Sequence, residues 1–171
     1  MIGNDIIDLE LTRTESNWKR KGFLDKVFTE NEQKIIFLSE NPEIMVWILW
    51  SRKEAVYKIY HRKTQKRMFM PKRIECDIVG LQHEQFLGLV TIEGFDYVAR
   101  TEVTQGYIYT EATLNSNNFH LIQPIQSSDV FKDQYGIPNS KLSNNPVSIT
   151  HHGAFERTIQ LNIDAQSRFQ F

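Results

Sequence analysis

Only one cysteine, Cys76, occurs in the 171 residues, so an internal disulfide is excluded and no cysteine cluster is available for zinc. Long apolar runs are missing too. The longest, residues 44–50, falls far short of the roughly 20 residues that cross a bilayer. Asp5 and Asp8 interrupt the first residues, where a secretory leader would need an apolar core. Excess charge is likewise absent: 20 basic residues stand against 21 acidic ones. With no RNA- or DNA-binding motif either, the balance argues against a nucleic-acid partner. No internal repeat or linker-length loop divides the chain, so residues 1–171 are expected to form a single domain, cytoplasmic and without a membrane segment. A hydrophobic content of 40% with 12% aromatics excludes a disordered chain.

What the chain does have is one long stretch free of breakers. Residues 43–62 contain neither Pro nor Gly, and Pro42 suits a first helical turn. Residues 42–62 are therefore expected to form a long, mostly buried helix. Glu54 and Lys58, four apart, share one face of it. Such a pair either supports the helix as an i,i+4 ion pair or serves a metal ion and a phosphate together. Residues 2–9 read as a short strand with Asp5 among branched apolar neighbours, and an acid there is costly unless paired or bound to a cation. Asp5 is thus a candidate ligand for Mg²⁺, which needs only one or two carboxylates when phosphate and water complete its shell. Towards the other end, Gly136-Ile137-Pro138 reads as a turn, and residues 147–150 as a strand delivering hydroxyls and a histidine to its end.

The rest reads as scaffold. Residues 16–26 are expected to be helical with Ser16 or Asn17 as the cap, and Thr29-Glu30-Asn31-Glu32 has the spacing of a capping box opening a helix to about residue 38. Residues 74–79, 86–92, 97–103 and 107–113 alternate apolar with polar side chains and predict an antiparallel meander. Turns at residues 93–96 and 104–106 are hairpin candidates. The predicted class is α+β: an antiparallel sheet packed against a long buried helix, with a strand-rich middle at about residues 74–113. The tail is expected to fray or to dock through Phe169 and Phe171.

Taken in order, Gly3-Asn4-Asp5, Phe28-Thr29-x-x-Glu32, Trp50-x-x-Lys53-Glu54-Ala55-x-x-Lys58, Gly136-x-Pro138 and Ser148-Ile149-Thr150-His151 resemble the signature blocks of the 4′-phosphopantetheinyl transferases, in the order of the holo-acyl-carrier-protein synthase type. No single block is specific, and the resemblance rests on five of them occurring in this order over most of the chain. The resemblance implies transfer of the phosphopantetheine arm of coenzyme A to a serine of an acidic acyl or peptidyl carrier protein, with release of 3′,5′-ADP. It implies that Asp5 and Glu54 hold Mg²⁺ and that Lys58 neutralises charge on the transferred phosphate. Either Glu54 or a water on the metal accepts the serine proton. Thr150 and His151 are expected at the coenzyme, and Arg62, Lys63 and Lys66 at its phosphates. Arg13, Lys19 and Arg20 are expected to dock the carrier. For a chain too short for the two halves of the longer type, the same resemblance points to a homotrimer, with a monomer or dimer left open. The pattern departs in one place: residues 59–70 hold no glycine where the family is Gly-rich. Either basic side chains replace backbone contacts there, or the coenzyme sits differently, or the chain binds carrier or coenzyme without turnover.

Overall fold

The computed structural model describes residues 1–82 and 85–163. The chain opens on β1 (Ile2–Asp8), buried at every position. It continues through α1 (Leu9–Glu15), α2 (Phe23–Val27), α3 (Glu30–Leu38) and the 23-residue α4 (Pro42–Thr64). Then come β2 (Ile74–Gln82), β3 (Gln85–Ile92), β4 (Phe95–Val103) and β5 (Tyr107–Thr113). β6 (Ile122–Pro124), β7 (Val130–Lys132), β8 (Pro138–Ser140), β9 (Val147–His152) and β10 (Phe155–Leu161) complete the described part. The expected docking of Phe169 and Phe171 lies outside the described residues.

The meander forms as predicted and closes on the N-terminal strand: β1-β5-β4-β3-β2, every pair antiparallel. α4 crosses one face of this sheet. Val46, Leu49, Val56 and Ile59 meet Ile74, Val90, Tyr97, Ala99 and Ile108 in one core. Close approach of helix to strand needs a residue without a side chain on β1. A Cβ on Gly3 would run into the carbonyl oxygen of Ala55, which explains a glycine before Asn4-Asp5 and an alanine after Glu54.

The helix starts repay a closer reading. Thr29 and Glu32 form the expected capping box. The helix over residues 16–26 does not form. Asp8 instead ends β1 and caps α1 at once, its Oδ1 accepting the Glu10 and Leu11 N–H groups at 3.0 and 3.1 Å. Ser16 closes that helix, and Gly22, at φ 79°, lets the chain reverse into the short α2.

On α4, successive charged residues fan out by 100° steps. Arg52 is fully buried and donates to Thr101 Oγ1, Asp77 O and Phe86 O in the sheet. Lys53 turns the other way, into a closed ion pair with Glu32 at 2.7 Å. Glu54 and Lys58 are left on a third face.

β10 pairs with β6 and β9 in a second sheet, while β7 and β8 form a small ribbon. β9 runs along the open edge of β1 without a backbone ladder. Asn4, Ile6 and Asp8 donate their N–H groups to Ser148 Oγ, Thr150 Oγ1 and His152 Nδ1 at 3.0, 3.1 and 2.9 Å. Side chains thus satisfy an edge that would otherwise be exposed.

Candidate active site

Two cavities open between these layers, and they share a short border. The first, of about 320 Å³, has β1 and α4 on one side and β9 with the loop before β8 on the other. Lys58, His61, Arg62, Lys132 and His151 give it a basic lining. The second, of about 400 Å³, has an aromatic wall of Phe23, Trp47 and Trp50, with Arg20 at its side. Asp5, Glu54 and His151 line both. Trp47, Trp50, Glu54, Lys58, His61 and Arg62 recur at helical spacing, so one stripe of α4 serves both chambers.

The two acids at the border are held differently. Asp5 is 9% exposed. Its Oδ1 accepts from Thr150 Oγ1 at 3.2 Å and lies 3.5 Å from Lys58 Nζ, while Ser51 Oγ donates to its backbone carbonyl at 3.4 Å. Burial pushes the Asp5 carboxyl above its usual range, and Lys58, Thr150 and Ser51 pull against that. Glu54 is half-buried, and burial together with the neighbouring charge of Asp5 pushes it up to about 7, with Lys58 opposing. Two carboxylates crowded in this way are short of positive charge. Among the described residues no set of three or more His, Cys, Asp or Glu side chains comes together as a metal cage. A pair of carboxylates beside an open cavity fits a hard divalent cation that takes its remaining oxygens from phosphate and water.

The ammonium of Lys58 donates to Asn4 O at 2.6 Å and Ile149 O at 3.2 Å, tying β1 to β9 as it faces the cavity. Arg62 donates to Pro138 O, to Val147 O at 2.7 Å and to Asn139 Oδ1 at 3.3 Å. Arg67 clasps Tyr135 O at 3.0 and 2.8 Å, and Asp133 Oδ1 accepts the Tyr135 and Ile137 N–H groups. Where the family is Gly-rich after Lys58, arginine side chains of this chain brace the loop that walls the cavity.

Of the residues singled out from sequence, the fold brings Asp5, Glu54, Lys58, Arg62, Thr150 and His151 together at the first cavity. It does not bring Lys63 or Lys66 there. Lys63 sits with its Nζ 3.4 Å from the centre of the Phe95 ring, and Lys66 lies exposed past the end of α4. Arg20 reaches the aromatic cavity, with its guanidinium 5.4 Å from the Phe23 ring centre. Arg13 stands on exposed α1, 3.9 Å from Glu43, and Lys19 lies over Trp18. Lys132 was missed, and from sequence His61 counts only as part of the basic patch that follows Lys58, not as a site residue. His61 follows Glu54 by seven residues, a spacing that marks it; nothing local marks Lys132.

A mixed sheet-and-helix fold here sets a pair of acids between a basic and an aromatic cavity, an arrangement suited to a phosphorylated substrate. The chain belongs to the 4′-phosphopantetheinyl transferase superfamily, whose family model matches residues 1–110. Phosphopantetheine transfer, with coenzyme A as the donor and a carrier protein as the acceptor, is the chemistry of that superfamily. No curated protein matches the chain. Among the described residues no helix is long and apolar enough to cross a membrane.

Proposed function

We propose that this protein is a holo-acyl-carrier-protein synthase-like enzyme. It moves the phosphopantetheine arm of coenzyme A to a serine of an acidic acyl or peptidyl carrier protein, in the cytoplasm and with Mg²⁺. One bond forms, from the serine oxygen to the phosphorus bearing the pantetheine. One P–O bond breaks, from that phosphorus to the oxygen of the departing 3′,5′-ADP, and the serine hydroxyl gives up its proton to Glu54 or to a water held by the metal. The observation that carries the reading is the meeting of the two cavities on Asp5 and Glu54. A basic chamber suits the nucleotide and phosphates, and an aromatic one suits the arm and the incoming serine.

Asp5 and Glu54 are the residues that would hold Mg²⁺, which when bound supplies charge neutralisation at the diphosphate. The chain's own groups do the rest. Lys58 keeps β1 and β9 in register and puts positive charge beside the reacting phosphate. His151 and Lys132 line the same chamber and would take the coenzyme phosphates, while Arg62 would hold the wall beside the nucleotide. Such a reaction asks mainly for positioning, and a cavity braced on both sides provides it. Both walls come from one chain.

Mass spectrometry of an apo acyl carrier protein incubated with coenzyme A and Mg²⁺ tests the transfer. A gain equal to the phosphopantetheine arm, abolished by EDTA, is expected. No gain, with coenzyme A still raising the Tm, would favour instead a relative that binds without turnover.

The docking side gives a separate prediction. Arg20 lines the aromatic cavity, and Arg13 is exposed on α1 next to Thr12, another lining residue; an acidic carrier would be steered by them. The Arg13→Glu/Arg20→Glu double variant should raise the apparent KM for carrier about 10-fold and flatten its salt dependence. The KM for coenzyme A should stay put. An unchanged carrier KM would remove both residues from the docking face.

A further inference from the structure

The Thr150 hydroxyl has its single proton already engaged within the protein. The residue is 4% exposed on β9. Its Oγ1 accepts the Ile6 N–H at 3.1 Å and donates its single proton to Asp5 Oδ1 at 3.2 Å. Ser148 and His152, two residues away on either side, accept from β1 in the same manner. Thr150 is the member of this row that also reaches the carboxylate. Its neighbour His151 is exposed and lines both cavities, as the alternation of a strand requires.

A carboxylate beside Lys58 can turn towards either the ammonium or the cavity. Both donors to this oxygen stand off from it, Lys58 Nζ at 3.5 Å and the Thr150 hydroxyl, the nearer of the two, at 3.2 Å. Fixing Oδ1 in this way sets the orientation in which Asp5 meets a cation.

Resting on the function proposed above, we infer that Thr150 is a positioning residue, fixing the Asp5 carboxylate for a divalent cation rather than binding coenzyme A. Thr150→Val removes the donor and the acceptor at nearly constant shape. Calorimetric titration with Mn²⁺ should show affinity reduced about 10- to 100-fold, the range for the loss of a group that orients a metal ligand. Coenzyme A affinity measured in EDTA should stay within about twofold of wild type. Turnover should fall through kcat with the KM for coenzyme A unchanged, and Thr150→Ser should restore most of the metal affinity. In an Asp5→Asn background the valine should cause no further loss of metal affinity, because the two groups act as one. If the valine variant fails to fold, Thr150→Cys, a weak donor of similar shape, carries the same test.

Unchanged Mn²⁺ affinity in Thr150→Val overturns the inference, and so does weakened coenzyme A binding in EDTA. Failure of the wild-type protein to bind Mn²⁺ would remove the metal-site reading itself, before any variant is compared.

Discussion

Glu54→Gln is expected to cut phosphopantetheine transfer on the order of 10³-fold, with the Tm unchanged or raised, because several kcal/mol of charge stabilisation at the diphosphate depend on that carboxylate. Glutamine keeps the shape and the packing on α4 but cannot supply a negative ligand. The unchanged fold follows from the site's electrostatics. Without a cation Glu54 is an acid held near 7 by burial and by Asp5, against an ordinary value of 4.5. Between those values the folded chain holds a proton that the unfolded chain has lost. Its contribution is therefore full below about pH 4.5 and is lost as pH rises through 7. The metal-free protein should lose up to ~3 kcal/mol from this group between pH 5 and 8, a Tm decline of roughly 5–10 °C for a chain of this size. Asp5, also raised, adds with the same sign. Glu54→Gln should flatten that decline, and added Mg²⁺ should counteract it at pH 8 by binding the folded state. Thermal melts across pH with and without EDTA read both effects. Near-normal turnover in the variant would remove Glu54 from the site.

Lys53→Met should have the largest effect on stability, lowering it by about 3–5 kcal/mol and the Tm by roughly 10 °C or more. The ammonium is fully buried against Glu32 and also donates to Pro71 O at 2.9 Å and to Ile74 O. Glu32 takes the Thr29 N–H and the Cys76 N–H at 2.8 Å each. Together they pin α3, α4 and the start of β2 to one another. Methionine fills the volume but leaves a buried carboxylate without its counter-charge, and that desolvated anion dominates the cost. Changing Glu32→Gln in the same molecule should recover part of the loss, since no lone charge then remains. A Tm drop under about 2 °C for Lys53→Met, checked by calorimetry, would contradict this reading of the pair.

The pair also shows what a sequence motif does and does not reveal. Lys53 and Glu54 are adjacent in one block, yet 100° of helix rotation sends Lys53 into the core and Glu54 to the cavity. The capping box at Thr29-Glu32 was readable because its partners are three residues apart. That the same Glu32 closes an ion pair with Lys53, 21 residues on, was not. α4 and the β2–β5 meander were legible from periodicity and from the placing of Pro42 and the hairpin turns, all local signals. The false helix over residues 16–26 arose because its polar and aromatic residues fit a helical pattern, while the true start, Asp8 capping α1, sits directly at the end of a strand. Least legible was the contact of β9 with β1. Its hydrogen bonds join residues 144 positions apart through Ser148, Thr150 and His152 side chains, and no pairing register or turn announces them. The acids and the lysine of the site could therefore be picked out, whereas the loop braced by Arg62 and Arg67, with Lys132 beside it, emerged only from the folded chain.

Anomalous scattering from crystals grown with coenzyme A and Mn²⁺ would read the central arrangement directly. Expected is one strong peak between the Asp5 and Glu54 carboxylates, with the diphosphate in the basic cavity. A coenzyme bound elsewhere, or manganese with neither acid in its coordination shell, would contradict it.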